Sequence, residues 1–171
     1  MITGGKDSAL ALYRALEGGY EVAYLVTMFP RREDSWMFHH LNIHLTSLFS
    51  EAVGIPLVKG ETLGVKEDEV EDLKRLLSTL DVEGIVSGAI HSQYQKSRID
   101  RVCRELNLES IAPLWHEDHM KILTDIVDLG FEVIIAGVYA YGFDEKWLGR
   151  KIDYEAIREL LELNRLYEIS V

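Results

Sequence analysis

Six residues near the start of the chain combine side chains that suit the binding of phosphate groups. They are Thr3-Gly4-Gly5-Lys6-Asp7-Ser8, and the strong helix formers of residues 9–16 follow them directly. Two adjacent glycines let the backbone turn sharply and approach a ligand closely. A helix that begins at such a turn points unpaired N–H groups outward at the positive end of its dipole. The spacing therefore predicts an anion site, most often a phosphate site, at this loop.

The charged members of the loop refine this prediction. Lys6 adds a positive charge and Ser8 adds a hydroxyl donor. A carboxylate such as Asp7 repels a bound phosphate unless a divalent cation lies between them or the side chain caps the helix. The common phosphate-loop pattern does not fit, because the glycines are adjacent and Asp7 separates the lysine from the hydroxyl. The structural alternative is an ordinary glycine turn with Asp7 or Ser8 as the helix N-cap.

The elements that must position this loop alternate between strand and helix. Strands are predicted at residues 21–27, 57–58, 84–89, 110–112 and 132–138, and helices at 36–53, 68–80, 94–106, 120–129 and 154–164. Most strands are continuous apolar runs, which indicates a parallel sheet with helices on both faces, the doubly wound α/β fold. On the helix at 68–80, Glu69 is assigned to the outward, polar face.

Ligands on such sheets bind at the C-terminal ends of the strands, where this chain places its polar and glycine clusters. We expect the phosphates at Gly4, Gly5, Lys6 and Ser8. Met28, Ser87 and Gly88 stand in such clusters. The alternative for Met28 is simple side-chain packing, and the alternative for Ser87 and Gly88 is a tight strand-to-loop turn.

Composition limits the class of protein. The 171 residues predict a single domain over residues 1–171, and the net charge of −11 disfavours nucleic acid as a partner. The single cysteine, Cys103, is expected in the core, and no apolar run approaches the roughly 20 residues that cross a bilayer. Only Met1 and Ile2 precede the loop, so we expect no leader peptide. We therefore expect a cytoplasmic protein with no membrane partner.

Several motifs resemble one enzyme family. The loop is similar to the Ser-Gly-Gly-x-Asp-Ser loop of the N-type ATP pyrophosphatases (the PP-loop family), with Thr3 in place of the first serine. Further motifs resemble the diphthine–ammonia ligase branch of that family, in order and spacing. They are Ser35-Trp36-Met37-Phe38-His39, Gly88-Ala89-Ile90, Ser92-Gln93-Tyr94-Gln95, Arg98, Val102-Cys103, Leu106, Pro113-Leu114-Trp115, Tyr141-Gly142-Phe143-Asp144 and Trp147-Leu148-Gly149-Arg150. The likeness covers nearly the whole chain.

The resemblance implies a fold, a reaction and partners. The fold would be that of the adenine nucleotide alpha hydrolases. The reaction would be ATP-dependent amidation of diphthine on translation elongation factor two, through an acyl-adenylate, with release of AMP and pyrophosphate. The cofactors would be ATP and Mg²⁺, and the partners the elongation factor and ammonium, with self-association into a homo-oligomer as a further expectation.

The resemblance also implies roles for individual residues. Lys6, Asp7 and Ser8 would be catalytic, with Asp7 as a ligand of Mg²⁺. The backbone of Met28 would contact the adenine, and Ser87 and Gly88 would let the backbone approach the nucleotide.

Three further residues, Tyr94, Arg98 and Asp144, would hold the substrate. Tyr94 and Arg98 lie one helical turn apart and so share a helix face, with a solvated surface pair as the alternative.

The sequence departs from the family at both ends. In the family a buried strand precedes the loop, whereas here Met1-Ile2 would serve as a stub. In the family, a Gly-Glu-Gly-Gly-Glu segment follows the position of Val171, and this sequence stops where that segment would begin. Two alternatives to the ligase therefore stand beside it. One is another PP-loop ATP pyrophosphatase, for example one that modifies RNA, and the other is a non-catalytic module that binds ATP or AMP.

Overall fold

The structure, a computed structural model, describes residues 1–32, 35, 37–38 and 42–167. Its elements are α1 (Lys6–Glu17), β1 (Leu25–Pro30), α2 (Thr46–Val53), β2 (Leu57–Thr62), α3 (Asp68–Leu77), β3 (Gly84–Val86), α4 (Gln93–Leu106), β4 (Glu109–Ile111), α5 (His119–Asp128) and α6 (Tyr154–Tyr167), with 3-10 helices at Ile43–Leu45 and Glu145–Trp147. None of the helices in these ranges is long and apolar enough to cross a membrane.

The chain divides into two compact units, Met1–Trp115 and His116–Val171. The first unit contains all four strands and the glycine loop, and the second contains α5 and α6. Each unit has its own core. The organisation of residues 1–171 as a single domain stays a prediction.

Parallel pairing builds the sheet of the first unit as two two-stranded pieces. β1 pairs with β2, and β3 pairs with β4, both in parallel. The first two residues bridge these pairs, because the Ile2 nitrogen donates to the Val26 carbonyl at 2.9 Å and the Met1 nitrogen donates to the Val86 carbonyl at 2.5 Å. The short segment that carries the glycine loop is therefore fixed between β1 and β3.

Helices cover both faces of this sheet. Leu25 and Val26 are neighbours on β1 and so point to opposite faces. Leu25 belongs to a cluster with Leu12 of α1 and Phe49 of α2, whereas Val26 belongs to a larger cluster. The buried members of that larger cluster from α3 and α4 are Val70, Leu73, Leu77, Ile99, Val102 and Cys103. The predicted doubly wound α/β fold is confirmed.

Several predicted elements of the first unit have different bounds in the structure; for example, β2 extends from the predicted residues 57–58 to Thr62, and β3 ends at Val86. β1 begins at Leu25 and continues through Met28 to Pro30, which the sequence assigned to a loop. The strand continues because its backbone pairs with β2 as far as Thr62, although this end of β2 carries the polar side chains of Glu61 and Thr62. Of the helix predicted at 36–53, only Thr46–Val53 is α-helical; residues 36 and 39–41 lie outside the described residues.

The second unit packs α5 and α6 around Leu123, Trp147, Ile157 and Leu160. The buried strand predicted at 132–138 is wrong. Only an isolated antiparallel bridge, Ile134 with Lys151, forms there, and Ile134 is 61% exposed. The apolar run lies at the surface of this unit: its alternate residues pack on the core of α5 and α6, and the residues between them face outward.

Candidate functional site

The glycine loop of residues 3–8 is held by its own side chains. Gly4 has a φ of +79°, a left-handed conformation that favours glycine. The Ser8 hydroxyl accepts a hydrogen bond from the Thr3 nitrogen at 3.2 Å and donates one to the Gly5 carbonyl at 3.0 Å. Ser8 is only 6% exposed. Its hydroxyl therefore closes the loop on itself in this structure, and its predicted role toward phosphate stays a prediction.

The helix α1 begins directly after the glycine turn. Its N-cap residue is Gly5, with an extended backbone at φ −88° and ψ 161°. Glycine has no side chain with which to cap the first-turn amides, in contrast to the serines and aspartates usual at this position. Backbone N–H groups at the positive end of a helix are suited to bind an anion such as phosphate.

Lys6 and Asp7 form an ion pair beside these amides. The Lys6 Nζ lies 3.0 Å from Asp7 Oδ1 and donates a hydrogen bond to Oδ2 at 3.2 Å. Despite this contact, Oδ1 accepts no hydrogen bond with acceptable geometry among the described residues, although it is buried from solvent. An under-coordinated carboxylate oxygen is the type of ligand that Mg²⁺ prefers. The Asp7 carboxylate could serve as such a ligand once Lys6 turns away, and its magnesium role stays a prediction.

No group of three or more His, Cys, Asp and Glu side chains that could hold a metal ion occurs in the described part of the chain. A magnesium ion at Asp7 would therefore take its remaining ligands from ATP oxygens and water. This arrangement is usual for Mg²⁺, which keeps several waters and binds through one or two carboxylates together with substrate phosphates.

The segment after β3 packs against the start of α1. A Cβ placed on Gly88 would lie 2.8 Å from the Ser8 nitrogen and 2.9 Å from the Asp7 carbonyl carbon, closer than real Cβ atoms come to backbone. Only glycine fits this approach. Ser87 is 3% exposed, and its hydroxyl has no hydrogen-bond partner among the described residues. A buried hydroxyl without a partner beside the loop is available to a bound ligand.

Met28 lies inside β1 and not at its end. Its side chain is 2% exposed and packs on the bare backbone of Gly60, where an added Cβ would lie 2.5 Å from the Met28 sulfur. The packing alternative therefore accounts for the side chain. The contact between the Met28 backbone and adenine stays a prediction.

Tyr94 and Arg98 share one face of α4, as predicted. The Arg98 guanidinium carbon lies 3.5 Å from the centre of the Tyr94 ring, and Nε donates to Glu67 at 3.1 Å. Arg101 also donates to Glu67, at 3.2 Å. The Arg98 side chain is 19% exposed, so the pair is not a solvated surface pair. The hydrogen bond from Arg98 holds the pKa of Glu67 below its usual value, whereas burial raises the pKa of Tyr94.

Glu69 corrects the sequence prediction, which placed it on the outward face of α3. It is fully buried, and its Oε2 accepts a hydrogen bond from the Ser35 hydroxyl at 2.6 Å. Its Oε1 is buried and has no hydrogen-bond partner among the described residues. The helical spacing contained the signal, because Glu69 lies four residues before Leu73, which is also fully buried.

Asp144 belongs to the second unit. Its Oδ1 accepts a hydrogen bond from the Lys146 nitrogen at 3.0 Å, so it caps the 3-10 helix Glu145–Trp147. Its side chain is 58% exposed. The local contact explains an aspartate here, and the predicted contact with substrate stays a prediction.

Cys103 is 1% exposed and burial raises the pKa of its thiol, which agrees with the predicted place in the core.

Two family models match the chain in succession. The diphthamide synthase N-terminal domain matches residues 1–110, and the diphthamide synthase C-terminal domain matches residues 118–171. The diphthine–ammonia ligase of Homo sapiens is 32% identical over all of this chain and 72% of that protein. The diphthine–ammonia ligase of Schizosaccharomyces pombe is 33% identical over 99% of this chain, which spans 31% of that longer protein.

A solved structure is similar in fold. The predicted subunit of a tRNA methyltransferase from Methanocaldococcus jannaschii superimposes with a TM-score of 0.53 over 96% of this chain and 87% of that one. The two are 16% identical, so this likeness bears on the fold alone. The resemblance to the PP-loop ligases is confirmed by the family models and by the relatives, as is the prediction of a ligase. This chain belongs to the diphthamide synthase family, whose curated relatives are diphthine–ammonia ligases.

Proposed function

We propose that this protein amidates diphthine on translation elongation factor two, consuming ATP and ammonia and releasing AMP and pyrophosphate. The observation that carries the proposal is the start of α1. There, an uncapped helix end at Gly5, a lysine at the first helical position and an aspartate with an under-coordinated oxygen lie together. Membership of the diphthamide synthase family supports the choice of reaction.

The loop would bind the β- and γ-phosphates as the leaving group. Phosphate oxygens accept hydrogen bonds from first-turn amides, and the Lys6 ammonium would turn from Asp7 toward the phosphates. Such preorganised positive groups stabilise the charge that develops on pyrophosphate as it leaves. Mg²⁺ held by Asp7 would supply further neutralisation of that charge.

Activation of the substrate explains why ATP is needed. A carboxylate is a poor acylating agent, whereas its mixed anhydride with AMP is a good one. Attack of the diphthine carboxylate on the α-phosphate forms this anhydride and breaks the bond to pyrophosphate. Ammonia then attacks the acyl carbon, and AMP leaves as the amide forms. Tyr94 and Arg98 are the proposed substrate contacts in the first unit.

Product analysis tests the proposal. The protein is incubated with diphthine-bearing elongation factor, ATP, Mg²⁺ and ammonium, and the nucleotides are separated by chromatography. We expect AMP and pyrophosphate in amounts that match the amide formed, both dependent on the elongation factor. Formation of ADP, or AMP release that depends on RNA and not on the elongation factor, contradicts the proposal. Binding of ATP without any turnover supports the alternative of a nucleotide-binding module.

A further inference from the structure

A second group of polar side chains gathers where three strands of the first unit end. Ser35 follows β1, Glu69 follows β2 at the start of α3, and Tyr94 follows β3 at the start of α4. The C-terminal ends of parallel strands meet at one edge of the sheet, which is where doubly wound folds bind substrates. None of the phosphate-binding roles proposed above uses Glu69 or Ser35.

Glu69 is incompletely satisfied in this group. The Ser35 hydroxyl donates to Oε2 at 2.6 Å and itself accepts from the Phe38 nitrogen at 3.1 Å. Oε1 accepts no hydrogen bond among the described residues, and the whole side chain is 0% exposed. A buried carboxylate oxygen without a donor carries a large free-energy cost, so such an atom calls for an explanation.

Three cations lie close to this group: Arg98, Arg101 and Lys66, whose ammonium is 5.4 Å from the centre of the Tyr94 ring. Arg98 and Arg101 donate to Glu67, two residues before Glu69, and Arg98 lies over the ring of Tyr94. The position of Glu69 in the first turn of α3 favours a negative charge through the helix dipole, but a dipole supplies no hydrogen for Oε1. The Tyr94 hydroxyl oxygen is buried too, and after burial itself the negative charge of Glu69 is among the causes that raise the pKa of this hydroxyl.

We propose that Glu69, together with Ser35 and Tyr94, binds the ammonium ion that supplies the amide nitrogen. The inference rests on the proposed function for the identity of the reaction. An acceptor without a partner is matched by a ligand that donates hydrogen bonds, and ammonium carries four N–H donors. The trimethylammonium group of diphthine carries none and is too bulky for a carboxylate that is completely enclosed.

The same contact would prepare the nucleophile. Ammonium has no lone pair, so it must lose a proton before it can attack. The Glu69 carboxylate accepts one proton, and ammonia is left. Its nitrogen forms the C–N bond to the acyl carbon, the bond from that carbon to the AMP oxygen breaks, and AMP leaves with the electron pair. A second proton leaves the nitrogen to water as the neutral amide forms.

Steady-state kinetics with a charge-removing variant tests the site. Glu69→Gln keeps the size of the side chain and an oxygen for Ser35, but removes the charge and the proton acceptor. We expect its KM for ammonium to rise at least about tenfold, the effect of one lost charged contact, while the KM for ATP stays unchanged. The matched control is Glu71→Gln, an exposed glutamate on the same helix, which should leave both values unchanged.

A second nucleophile separates this role from a structural one. Hydroxylamine is uncharged at neutral pH and needs no deprotonation. Glu69→Gln should therefore use hydroxylamine at a rate close to that of the unchanged protein. Equal losses with ammonium and hydroxylamine would show that Glu69 supports the fold, and an unchanged KM for ammonium would also overturn the proposal.

A binding measurement keeps this test independent of the proposed function. Ammonium chloride should raise the melting temperature of the unchanged protein by about 2 °C or more above equal concentrations of sodium or tetramethylammonium chloride. Glu69→Gln should lose this difference. An ammonium-specific shift without turnover would leave the site standing and reject the ligase function. Turnover with no ammonium-specific shift of the melting temperature in either protein would reject the ammonium site and leave the ligase function standing.

Discussion

The helices α1 and α5 differ in whether a side chain caps the unpaired N–H groups of their first turn. Every helix begins with N–H groups that have no partner inside the helix. At α5 the Asp118 side chain accepts from the Lys121 nitrogen at 2.9 Å, and the Lys121 ammonium pairs with Glu117 and Asp125. At α1 the N-cap is Gly5, which has no side chain to offer.

This difference separates a structural helix end from a binding one. At α5 the Asp118 side chain satisfies one of these donors, the Lys121 nitrogen, and such a cap typically adds about 1 kcal/mol of stability. The α1 end leaves its donors and the Lys6 charge beside a turn that a ligand can approach. Four substitutions test this difference between helix ends, and they follow in order of decreasing expected effect.

Removal of the Lys6 charge should have the largest effect. We expect Lys6→Ala to raise the barrier to pyrophosphate release by roughly 2–4 kcal/mol, because a preorganised charge on the leaving group is lost. Stability should change by less than about 0.5 kcal/mol, since the side chain pairs only with its neighbour Asp7 in the described structure. Pyrophosphate release and urea unfolding measure the two quantities. Lys121→Ala, at the capped helix, is the matched control, and equal activity losses in both variants would refute the contrast.

An added methyl group at Gly88 should displace the α1 start. Its Cβ would come within 3 Å of backbone atoms of Asp7 and Ser8, which cannot move as a flexible side chain could. We expect Gly88→Ala to lower the free energy of unfolding by about 1–3 kcal/mol and to weaken ATP binding as well. Calorimetry of ATP binding and thermal unfolding check this result.

Gly19→Ala is the control for Gly88→Ala. Gly19 has a φ of +83° and open space around its Cβ, so alanine there adds backbone strain without a clash. It should cost about 1 kcal/mol of stability and leave ATP affinity unchanged. If ATP affinity falls equally in both variants, the contact between Gly88 and the loop has no part in binding.

A cap introduced at α1 should make it resemble α5. The extended backbone of Gly5 suits a serine, whose Cβ would meet only the Thr3 hydroxyl at an ordinary 3.5 Å. We expect Gly5→Ser to raise stability by a few tenths of a kcal/mol and to weaken ATP binding, because the new hydroxyl competes for the first-turn amides. Asp118→Ala should lower stability by about 1 kcal/mol without any effect on ATP. Tighter ATP binding by Gly5→Ser would contradict this account.

The start of α3 offers the smallest effect, and one that depends on pH. Hydrogen bonding to Arg98 lowers the pKa of Glu67 from its ordinary 4.5. A lowered folded-state pKa stabilises the protein above the ordinary value, and the contribution is lost as the pH falls through the lowered one. We therefore expect Glu67→Gln to be less stable than the unchanged protein near neutral pH, and the gap to narrow in acid below pH 4.5. Urea unfolding midpoints of the two proteins, measured near neutral pH and below pH 4.5, give the difference in stability at each pH. A difference that stays the same would contradict the ion pair between Glu67 and Arg98.

The residues of the glycine loop and the order of the elements in the first unit were readable from the sequence, because both depend on local chemistry. Adjacent glycines followed by helix formers predict a turn into a helix wherever they occur. The helices α4 (Gln93–Leu106) and α5 (His119–Asp128) begin within one residue of prediction, since side-chain caps at Ser92 and Asp118 fix those ends.

Tertiary structure decided the features that depend on pairing between distant segments. β1 extends to Pro30 because β2 supplies its hydrogen bonds. The apolar run at 132–138 lies at the surface of the second unit because a single bridge, between Ile134 and Lys151, is its only strand-like pairing among the described residues. Glu69 is buried and hydrogen-bonded to Ser35, a residue from a distant segment, although a charged residue in an amphipathic helix normally faces water. Sequence determines which groups are available for chemistry; the packing of distant segments determines which of them are left without partners.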